Sequence, residues 1–126
     1  MTDSKLLKLA REALKNAYVP YSHFPVGAAL ECDDGTVYTG CNVENAAYGS
    51  SICAERTALV KAVSEGHTRF VRIAVCGNGP QICMPCGACR QMLAEFSPEM
   101  EVLCAGAGDE SVRYLLSELL PHTFEF

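Results

Sequence analysis

Tryptophan is absent from the 126-residue chain, and Lys and Arg together number 10 against 15 Asp and Glu. With a net charge of -5 the chain has no basic stripe that could neutralise a phosphate backbone. No apolar run approaches the roughly 20 residues of a membrane-spanning helix, and a secretory signal, internal repeats and linkers are also missing. We therefore expect one cytoplasmic domain over residues 1–126, with neither nucleic acid nor membrane as a partner.

The hydrophobic fraction of 49% and the charged fraction of 20% exclude a disordered chain. The eight cysteines fall below the roughly 8–10% density of a disulfide scaffold. Three of them, Cys83, Cys86 and Cys89, form overlapping C-x-x-C spacings, which indicate a metal or redox site in a reducing compartment. The isolated cysteines lie in apolar, strand-like runs and are predicted to be small buried hydrophobes: Cys32, Cys41, Cys76 and Cys104.

Hydrophobic periodicity predicts alternating helices and strands. The predicted helices are Ser4–Tyr18, Cys53–Glu65, Cys86–Phe96 and Leu115–Leu120. The predicted strands are Val26–Cys32, Thr36–Asn42, Phe70–Cys76, Glu101–Ala105 and Ser111–Tyr114. A turn at residues 33–35 favours an antiparallel hairpin, whereas the later strands alternate with helices, which favours parallel pairing. The expectation is an α/β fold with a mixed five-stranded sheet and helices on its faces.

Two predicted strand-to-helix junctions, Cys53–Arg56 and Pro85–Arg90, contain the residues for metal chemistry. Their cysteines lie in the first turn of a predicted helix, where unpaired amides and the helix dipole favour the thiolate. Thiolates are the ligands that zinc binds in tetrahedral geometry. If the two helix ends face each other, Cys53, Cys86 and Cys89 hold one ion and leave its fourth position for water, as in a catalytic zinc site.

Glu55 lies two residues after Cys53. In a regular helix these side chains point apart, but at a helix terminus both can reach a site beyond the end of the axis. A glutamate there can accept a proton from water and pass it to a substrate. The alternative is a solvent-exposed first-turn glutamate that the helix dipole favours.

Together these motifs resemble the zinc-dependent deaminase signature in its three-cysteine form. Further matches, which run from Tyr21 to Phe124, resemble the small homotetrameric cytidine deaminases; they include segments 21–29, 40–49, 89–91 and 119–121. The resemblance implies a three-layer α/β/α cytidine-deaminase-like fold with one Zn²⁺ per chain. It also implies hydrolytic deamination of cytidine and deoxycytidine in pyrimidine salvage, by a homotetramer whose pockets are shared between subunits.

The same resemblance implies roles for individual residues. Asn42 and Glu44 correspond to residues that hold the ribose hydroxyls, and an amide with a carboxylate suits groups that both donate and accept. Phe24 corresponds to an aromatic residue lining the pyrimidine, and Ala54 to a backbone N–H that meets the pyrimidine carbonyl. Taken alone, Phe24 is more typical of a core residue, and Asn42 is typical of a turn.

Tyr48 and Phe124 are implied to act between subunits. Tyr48 belongs to a loop that resembles one completing an adjacent subunit's pocket, and Phe124 corresponds to an aromatic residue supplied by a neighbour. A free nucleoside is the expected substrate rather than a polynucleotide, because the chain is short and acidic and has no basic stacking groove.

Charge assigns a further role to an arginine. Zn²⁺ with three thiolates carries a net charge of -1, so a guanidinium that donates to a sulfur restores the acidity of the zinc. Arg56 resembles the family residue with this role, while Arg90 is the competing candidate.

Cys83 leaves alternatives open. It could complete a closed four-cysteine structural zinc module with the three predicted ligands, or Cys86 and Cys89 could form a redox pair without metal. A deaminase of another base or nucleoside analogue is a third alternative. Pro85 is predicted to start the third helix, so Cys83 lies before that helix and is expected to be a bystander thiol.

Overall fold

The computed structural model describes residues 1–126. Its strands are β1 (Val26–Cys32), β2 (Val37–Cys41), β3 (Phe70–Gly77), β4 (Glu101–Ala105) and β5 (Ser111–Leu115). Its α-helices are α1 (Asp3–Ala13), α2 (Ala54–Ser64), α3 (Gly87–Phe96) and α4 (Leu116–Leu119). Short 3₁₀ helices occupy Leu14–Asn16 and Tyr48–Ser50. None of the helices combines the length and the apolar character needed to cross a membrane.

The strands form one mixed sheet in the order β2-β1-β3-β4-β5. β1 is antiparallel to both β2 and β3, β3 is parallel to β4, and β4 is antiparallel to β5. The mixed sheet is confirmed, but parallel pairing is limited to β3 and β4, which α3 connects. A parallel crossover needs a dozen or more residues, and the short segment between β4 and β5 permits only an antiparallel return.

Helices cover both faces of the sheet. On one face, α1 packs on the sheet through a cluster formed by Leu6, Leu7, Ala10, Ala29, Ala74, Cys76, Leu103 and Ala105. On the other face, α2, α3 and α4 enclose a larger core whose biggest buried side chains include Leu30, Leu59, Ile73, Leu93 and Leu116. The predicted three-layer α/β/α arrangement is confirmed.

Several boundaries differ from the sequence prediction. The first α-helix ends at Ala13, not Tyr18, because the Tyr18 backbone N–H donates to Asn42 O at 3.0 Å and the residue bridges to the chain beside β2. The third begins at Gly87 with Cys86 as its N-cap, so Pro85 precedes the helix and does not start it.

Gly40 lets α2 lie directly on β2. A Cβ at this position would lie 2.5 Å from Ala54 O and 2.6 Å from Ala58 N. Any side chain would therefore push the first turns of α2 away from the sheet. This close approach places the N-terminus of α2 beside the end of β2.

The isolated cysteines are buried in three of the four predicted cases. Cys32, Cys76 and Cys104 are inaccessible to solvent, as expected of small hydrophobes. Cys41 is only partly buried, because it ends the edge strand β2, which has a neighbour on one side only. All eight cysteines are free thiols.

Candidate active site

Three cysteine sulfurs converge where the N-termini of α2 and α3 meet. Cys53 and Cys86 are the N-cap residues of the two helices, and Cys89 lies in the first turn of α3. Neither side chain makes the usual N-cap hydrogen bond to a backbone N–H of its helix, so both sulfurs are free to point beyond the helix ends. The sulfurs of Cys53 and Cys86 are 3.6 Å apart, and those of Cys86 and Cys89 are 3.4 Å apart.

This spacing fits a tetrahedral zinc ion. Zinc–sulfur bonds of about 2.3 Å place two thiolates roughly 3.8 Å apart, close to the observed separations. All three sulfurs lie within 4.8 Å of one another and form a group that could hold a metal. Cys89 is buried and Cys86 is exposed, so the group closes toward the core and opens toward solvent.

Arg56 places a positive charge on this group. Its Nη2 donates to the Cys53 sulfur at 3.5 Å and to Ser51 O at 3.3 Å. Hydrogen bonds from Cys89 and Arg56 lower the pKa of Cys53 to about 5, which favours the thiolate.

Arg90, the competing candidate, makes different contacts. Its Nε donates to Pro85 O at 2.8 Å and its Nη1 to Leu119 O at 3.0 Å. These bonds join the start of α3 to the end of α4. The guanidinium therefore binds backbone carbonyls, whereas that of Arg56 binds a cysteine sulfur.

Glu55 is buried beside the sulfurs. The residue is 4% exposed, so the alternative of a solvent-exposed first-turn glutamate is wrong. Burial, reinforced by the negative charge of Cys53, raises the pKa of Glu55 to about 7. Glu55, Cys53 and Cys86 line one cavity of about 120 Å³. A carboxylate and two candidate metal ligands therefore face the same small volume.

The rest of the cavity wall contains predicted and unexpected residues. Ala54 and Asn42, both predicted to bind substrate, line it together with Val26, Cys83 and Met84. Met84 was not among the predicted site residues, although its position immediately before the Pro-Cys-x-x-Cys motif was a usable signal.

Cys83 lies in the wall of this cavity but outside the group that could hold a metal. Burial is the main cause that raises the pKa of its thiol to about 11, so it is a neutral thiol at neutral pH. This geometry does not provide the fourth ligand that a closed structural zinc module requires.

A second cavity, of about 340 Å³, adjoins the first, since Asn42 and Cys53 line both. Its wall includes Glu44, Tyr48 and Arg56. Tyr48 is 59% exposed, and its ring meets that of Tyr21 edge-on at 6.2 Å.

Asn42 and Glu44 also hold the loop that precedes β1, a role that the sequence analysis did not predict. Asn42 Oδ1 accepts from Val26 N, and its Nδ2 donates to Phe24 O, both at 2.9 Å. Glu44 is buried and accepts from the backbone N–H groups of Tyr21 and Ser22 at 3.1 Å each.

The Ser22 hydroxyl also donates to Glu44, at 2.5 Å. Despite desolvation, this side-chain hydrogen bond and the two backbone hydrogen bonds lower the pKa of the Glu44 carboxyl. Ser22 stands within the predicted motif 21–29, but nothing in its position along the chain indicated a pairing with Glu44.

The two predicted aromatic residues lie in different places. Phe24 is 40% exposed and lines a cavity of about 490 Å³. Cys83 lines both this cavity and the 120 Å³ cavity beside Glu55, here called the metal cavity. Phe124 is 68% exposed and lines a separate cavity with Gln91 near the C-terminus. The structure therefore brings Phe24 to the rim of the site and does not bring Phe124 to the site of its own chain.

Comparisons with known proteins agree with this geometry. Residues 1–105 match the family model described as the cytidine and deoxycytidylate deaminase zinc-binding region. A cytidine deaminase of Sporosarcina psychrophila is 46% identical over 98% of this chain and 92% of its own length. One from Halalkalibacterium halodurans is 48% identical over 98% of this chain and 95% of its own length.

A solved structure has the same fold. The crystal structure of cytidine deaminase from Burkholderia pseudomallei superposes with a TM-score of 0.95 at 45% identity, covering 98% of this chain and all of that one. The convergent cysteines and the buried glutamate lie within the part of the chain that the family model matches. The chain therefore belongs to the family of zinc-binding cytidine and deoxycytidylate deaminases.

Proposed function

We propose that the chain catalyses the hydrolytic deamination of cytidine and deoxycytidine to uridine and deoxyuridine, with release of ammonia. The observation that carries this proposal is the Glu55 carboxylate, which is buried and faces the same cavity as the sulfurs of Cys53 and Cys86. Neither a structural zinc module nor a redox pair requires a buried carboxylate beside its sulfurs. The relatives at 46% and 48% identity that are named cytidine deaminase support the choice of substrate.

Cys53, Cys86 and Cys89 would hold the zinc ion, since their sulfurs already have the spacing of thiolates around one tetrahedral ion. When bound, zinc lowers the pKa of a water molecule and so supplies the nucleophile for C4 of the pyrimidine ring. Arg56 donates to the Cys53 sulfur and withdraws part of the negative charge that three thiolates give the ion.

Glu55 moves the protons of the reaction. It accepts one proton from the attacking water and delivers it to N3 of the ring, and it then carries the other to the departing amine. The oxygen of water forms the new bond to C4, the bond from C4 to the amino nitrogen breaks, and ammonia leaves. Water and cytidine thus balance against uridine and ammonia with no redox step.

The walls of the two adjoining cavities would bind the nucleoside. Ala54 is the first residue of α2, and its backbone N–H has no partner within the helix, which suits it to bind the pyrimidine carbonyl. Phe24 would stack beside the ring. Asn42 and Glu44 would hold the ribose with the hydrogen-bonding capacity that remains after they anchor the loop before β1.

We further propose that residues 1–126 form a single catalytic domain that assembles as a homotetramer. Tyr48 and Phe124 are both exposed, and Phe124 lies away from the metal cavity of its own chain, which supports their use at a neighbouring subunit's pocket. Eight free cysteines suit a reducing cytoplasm, where pyrimidine salvage is the expected role.

Ammonia release from cytidine by the zinc-loaded protein tests the proposed reaction. We expect steady turnover by the wild type and a loss of roughly 10⁴-fold in Glu55→Gln, because an amide cannot accept the proton from water. The matched control is Glu65→Gln, which changes an exposed glutamate beyond the other end of the same helix and should turn over normally. If the wild type releases no ammonia, or if Glu55→Gln stays active, the proposal is wrong.

Cys83→Ser separates the enzyme from the structural module. We expect this variant to keep one zinc per chain and normal deamination, because the Cys83 sulfur lies outside the metal group. Loss of zinc on this substitution, with no ammonia from the parent protein, would support the four-cysteine module instead.

A further inference from the structure

A second cluster of metal-ligating side chains lies at the opposite end of α2. It consists of Cys32 at the end of β1, Asp34 in the turn to β2 and His67 in the segment between α2 and β3. One ligand atom from each lies within 4.8 Å of the others. The 11 residues of α2 span about 16 Å, so this cluster is well separated from the sulfurs at the helix N-terminus.

Backbone hydrogen bonds hold the two segments of the cluster in place. The Asp33 N–H donates to Arg69 O at 3.1 Å and ties the turn to the segment before β3. The His67 N–H donates to Ala62 O at 3.0 Å, which fixes this residue against the end of α2. These backbone bonds bring the two segments of the cluster together independently of its side chains.

Side-chain contacts then orient the ligand atoms. Thr36 N–H donates to Asp34 Oδ1 at 3.0 Å, which leaves Oδ2 to face the His67 ring. That ring packs against Tyr38 with centroids 5.4 Å apart and the planes tilted by 58°. The carboxylate and the imidazole are therefore oriented toward each other by neighbours outside the cluster.

The ligand atoms are close but not bonded to one another. His67 Nδ1 and Asp34 Oδ2 are 3.7 Å apart, beyond hydrogen-bond distance. A nitrogen and an oxygen bound to one tetrahedral zinc lie roughly 3.3–3.5 Å apart, so the two atoms need to approach by only a few tenths of an ångström to share an ion. The cysteine sulfurs with hydrogen bonds are those of Cys53, Cys76, Cys86 and Cys89, so the sulfur of Cys32 is unpaired.

The charge around the Cys32 sulfur is negative. The carboxylates of Asp34, Asp33 and Glu31 lie near this thiol and disfavour its ionisation in the absence of a cation. A bound divalent cation reverses this effect, because a coordinating thiol gives up its proton to the metal. The surroundings therefore oppose an isolated thiolate and favour a cation.

We propose that Cys32, Asp34 and His67 form a second metal site, which takes a divalent transition ion of the zinc class. A thiolate, an imidazole and a carboxylate match the ligand preferences of zinc, whereas magnesium and calcium prefer oxygen alone. The ion clamps the turn between β1 and β2 to the segment after α2. The site is independent of the proposed deamination, since none of its three residues lines the metal cavity beside Glu55.

Titration of the zinc-loaded protein with Co²⁺ tests this site, because Co²⁺ replaces zinc and has visible absorption. We expect the wild type to bind one more equivalent, with a sulfur-to-cobalt charge-transfer band and tetrahedral d–d bands. His67→Asn and Asp34→Asn should lose that equivalent and keep their rate of ammonia release. Cys32→Ala removes the sulfur ligand and should therefore show no additional sulfur-to-cobalt charge-transfer band.

Two matched variants control for charge and for general loss of metal affinity. Asp33→Asn removes the same charge one position away, and His122→Asn removes an exposed imidazole elsewhere; both should bind the additional Co²⁺ as the wild type does. If the wild type binds no additional Co²⁺, or if His67→Asn binds it as tightly as the wild type, the proposal is overturned. Ammonia release reports on the deamination separately, so either proposal can fail while the other stands.

Discussion

The two ends of α2 place cysteines in opposite electrostatic environments. At the N-terminus, hydrogen bonds from Cys89 and Arg56 lower the pKa of Cys53 to about 5. Beyond the C-terminus, burial and nearby carboxylates, Asp34 first among them, raise the pKa of Cys32 to about 11. The helix dipole shifts the two pKa values in the same directions. Its positive N-terminus favours the thiolate of Cys53, and its negative C-terminus disfavours that of Cys32.

This difference gives a physical reason for the position of the candidate metal ligands at helix N-termini. Cys53 and Cys86 cap α2 and α3, so two positive helix ends and one guanidinium meet the thiolates. At the N-terminus of α2 the thiolate form of a cysteine is stable even without a metal. At the other end of α2 a cysteine thiolate needs a bound cation to be stable. The residue type is the same, but the chemistry that it supports depends on the helix end and the charges around it.

Removal of one cysteine from each of the two clusters should have the largest effect. We expect Cys89→Ala to lose both zinc and deamination, since it removes one of three predicted ligands. Cys32→Ala should keep the catalytic zinc and its turnover. Zinc content per chain and ammonia release measure both variants. Stoichiometric zinc with normal turnover in Cys89→Ala would show that the ligand assignment is wrong.

Arg56→Gln should bring the surroundings of Cys53 closer to those of Cys32. It removes the cation that donates to the sulfur, and groups that support metal ligands contribute about 10–100-fold to activity or metal affinity. The initial rate of ammonia release and the competition of a chelator for zinc measure the two effects. Arg69→Gln, which changes an exposed arginine without side-chain partners, is the control and should behave as the wild type. Equal rates in the two variants would remove Arg56 from the mechanism.

Gly40→Ala should disturb the active-site end of α2 through packing alone. Its Cβ would lie 2.5 Å from Ala54 O, and such overpacking costs about 1–3 kcal/mol of unfolding free energy. We expect a lower Tm and slower deamination. Gly108→Ala is the control, since a Cβ there meets nothing within 4 Å. A Gly40→Ala protein as stable and active as that control would contradict the close approach of α2 to β2.

Ser22→Ala tests a part of the site that does not depend on α2. The Ser22 hydroxyl is the largest cause of the lowered pKa of Glu44, so the ionised carboxylate anchors its loop above that pKa and releases it as the pH falls through it. Loss of the hydroxyl should raise this pKa, and the anchor should then be lost at a higher pH. A carboxyl NMR titration of Glu44 measures the shift. Ser117→Ala, whose hydroxyl donates to Glu99, should leave the titration unchanged.

Local patterns were sufficient to predict all five strands, since β1, β3 and β4 are short apolar runs and β2 and β5 follow turn residues. They did not settle how the strands pair. The return from β4 to β5 is antiparallel because of the length of the connection, and α1 ends early because Tyr18 donates to Asn42 across the fold. Boundaries and partners depend on contacts between residues far apart in the chain.

The candidate active site was more predictable than its surroundings. Cys53 and Glu55 are close together in the sequence, as are Cys86 and Cys89, so short motifs were enough to predict them. The loop contacts of Glu44 join residues more than 20 positions away in the chain, and no local motif marks them.

By itself, the sequence determined the chemistry: which side chains can bind zinc, which can move a proton, and which segments form helices and strands. These properties depend on residue type and on spacing within a few positions, so they are present before the chain folds. Only the tertiary structure decided which cysteines face one another, that Glu55 is buried, and that Cys32 lies beside Asp34 and His67. The physical reason is that burial, charge and distance are properties of neighbours in space, which the packing of α2 and α3 against the sheet and each other brings together.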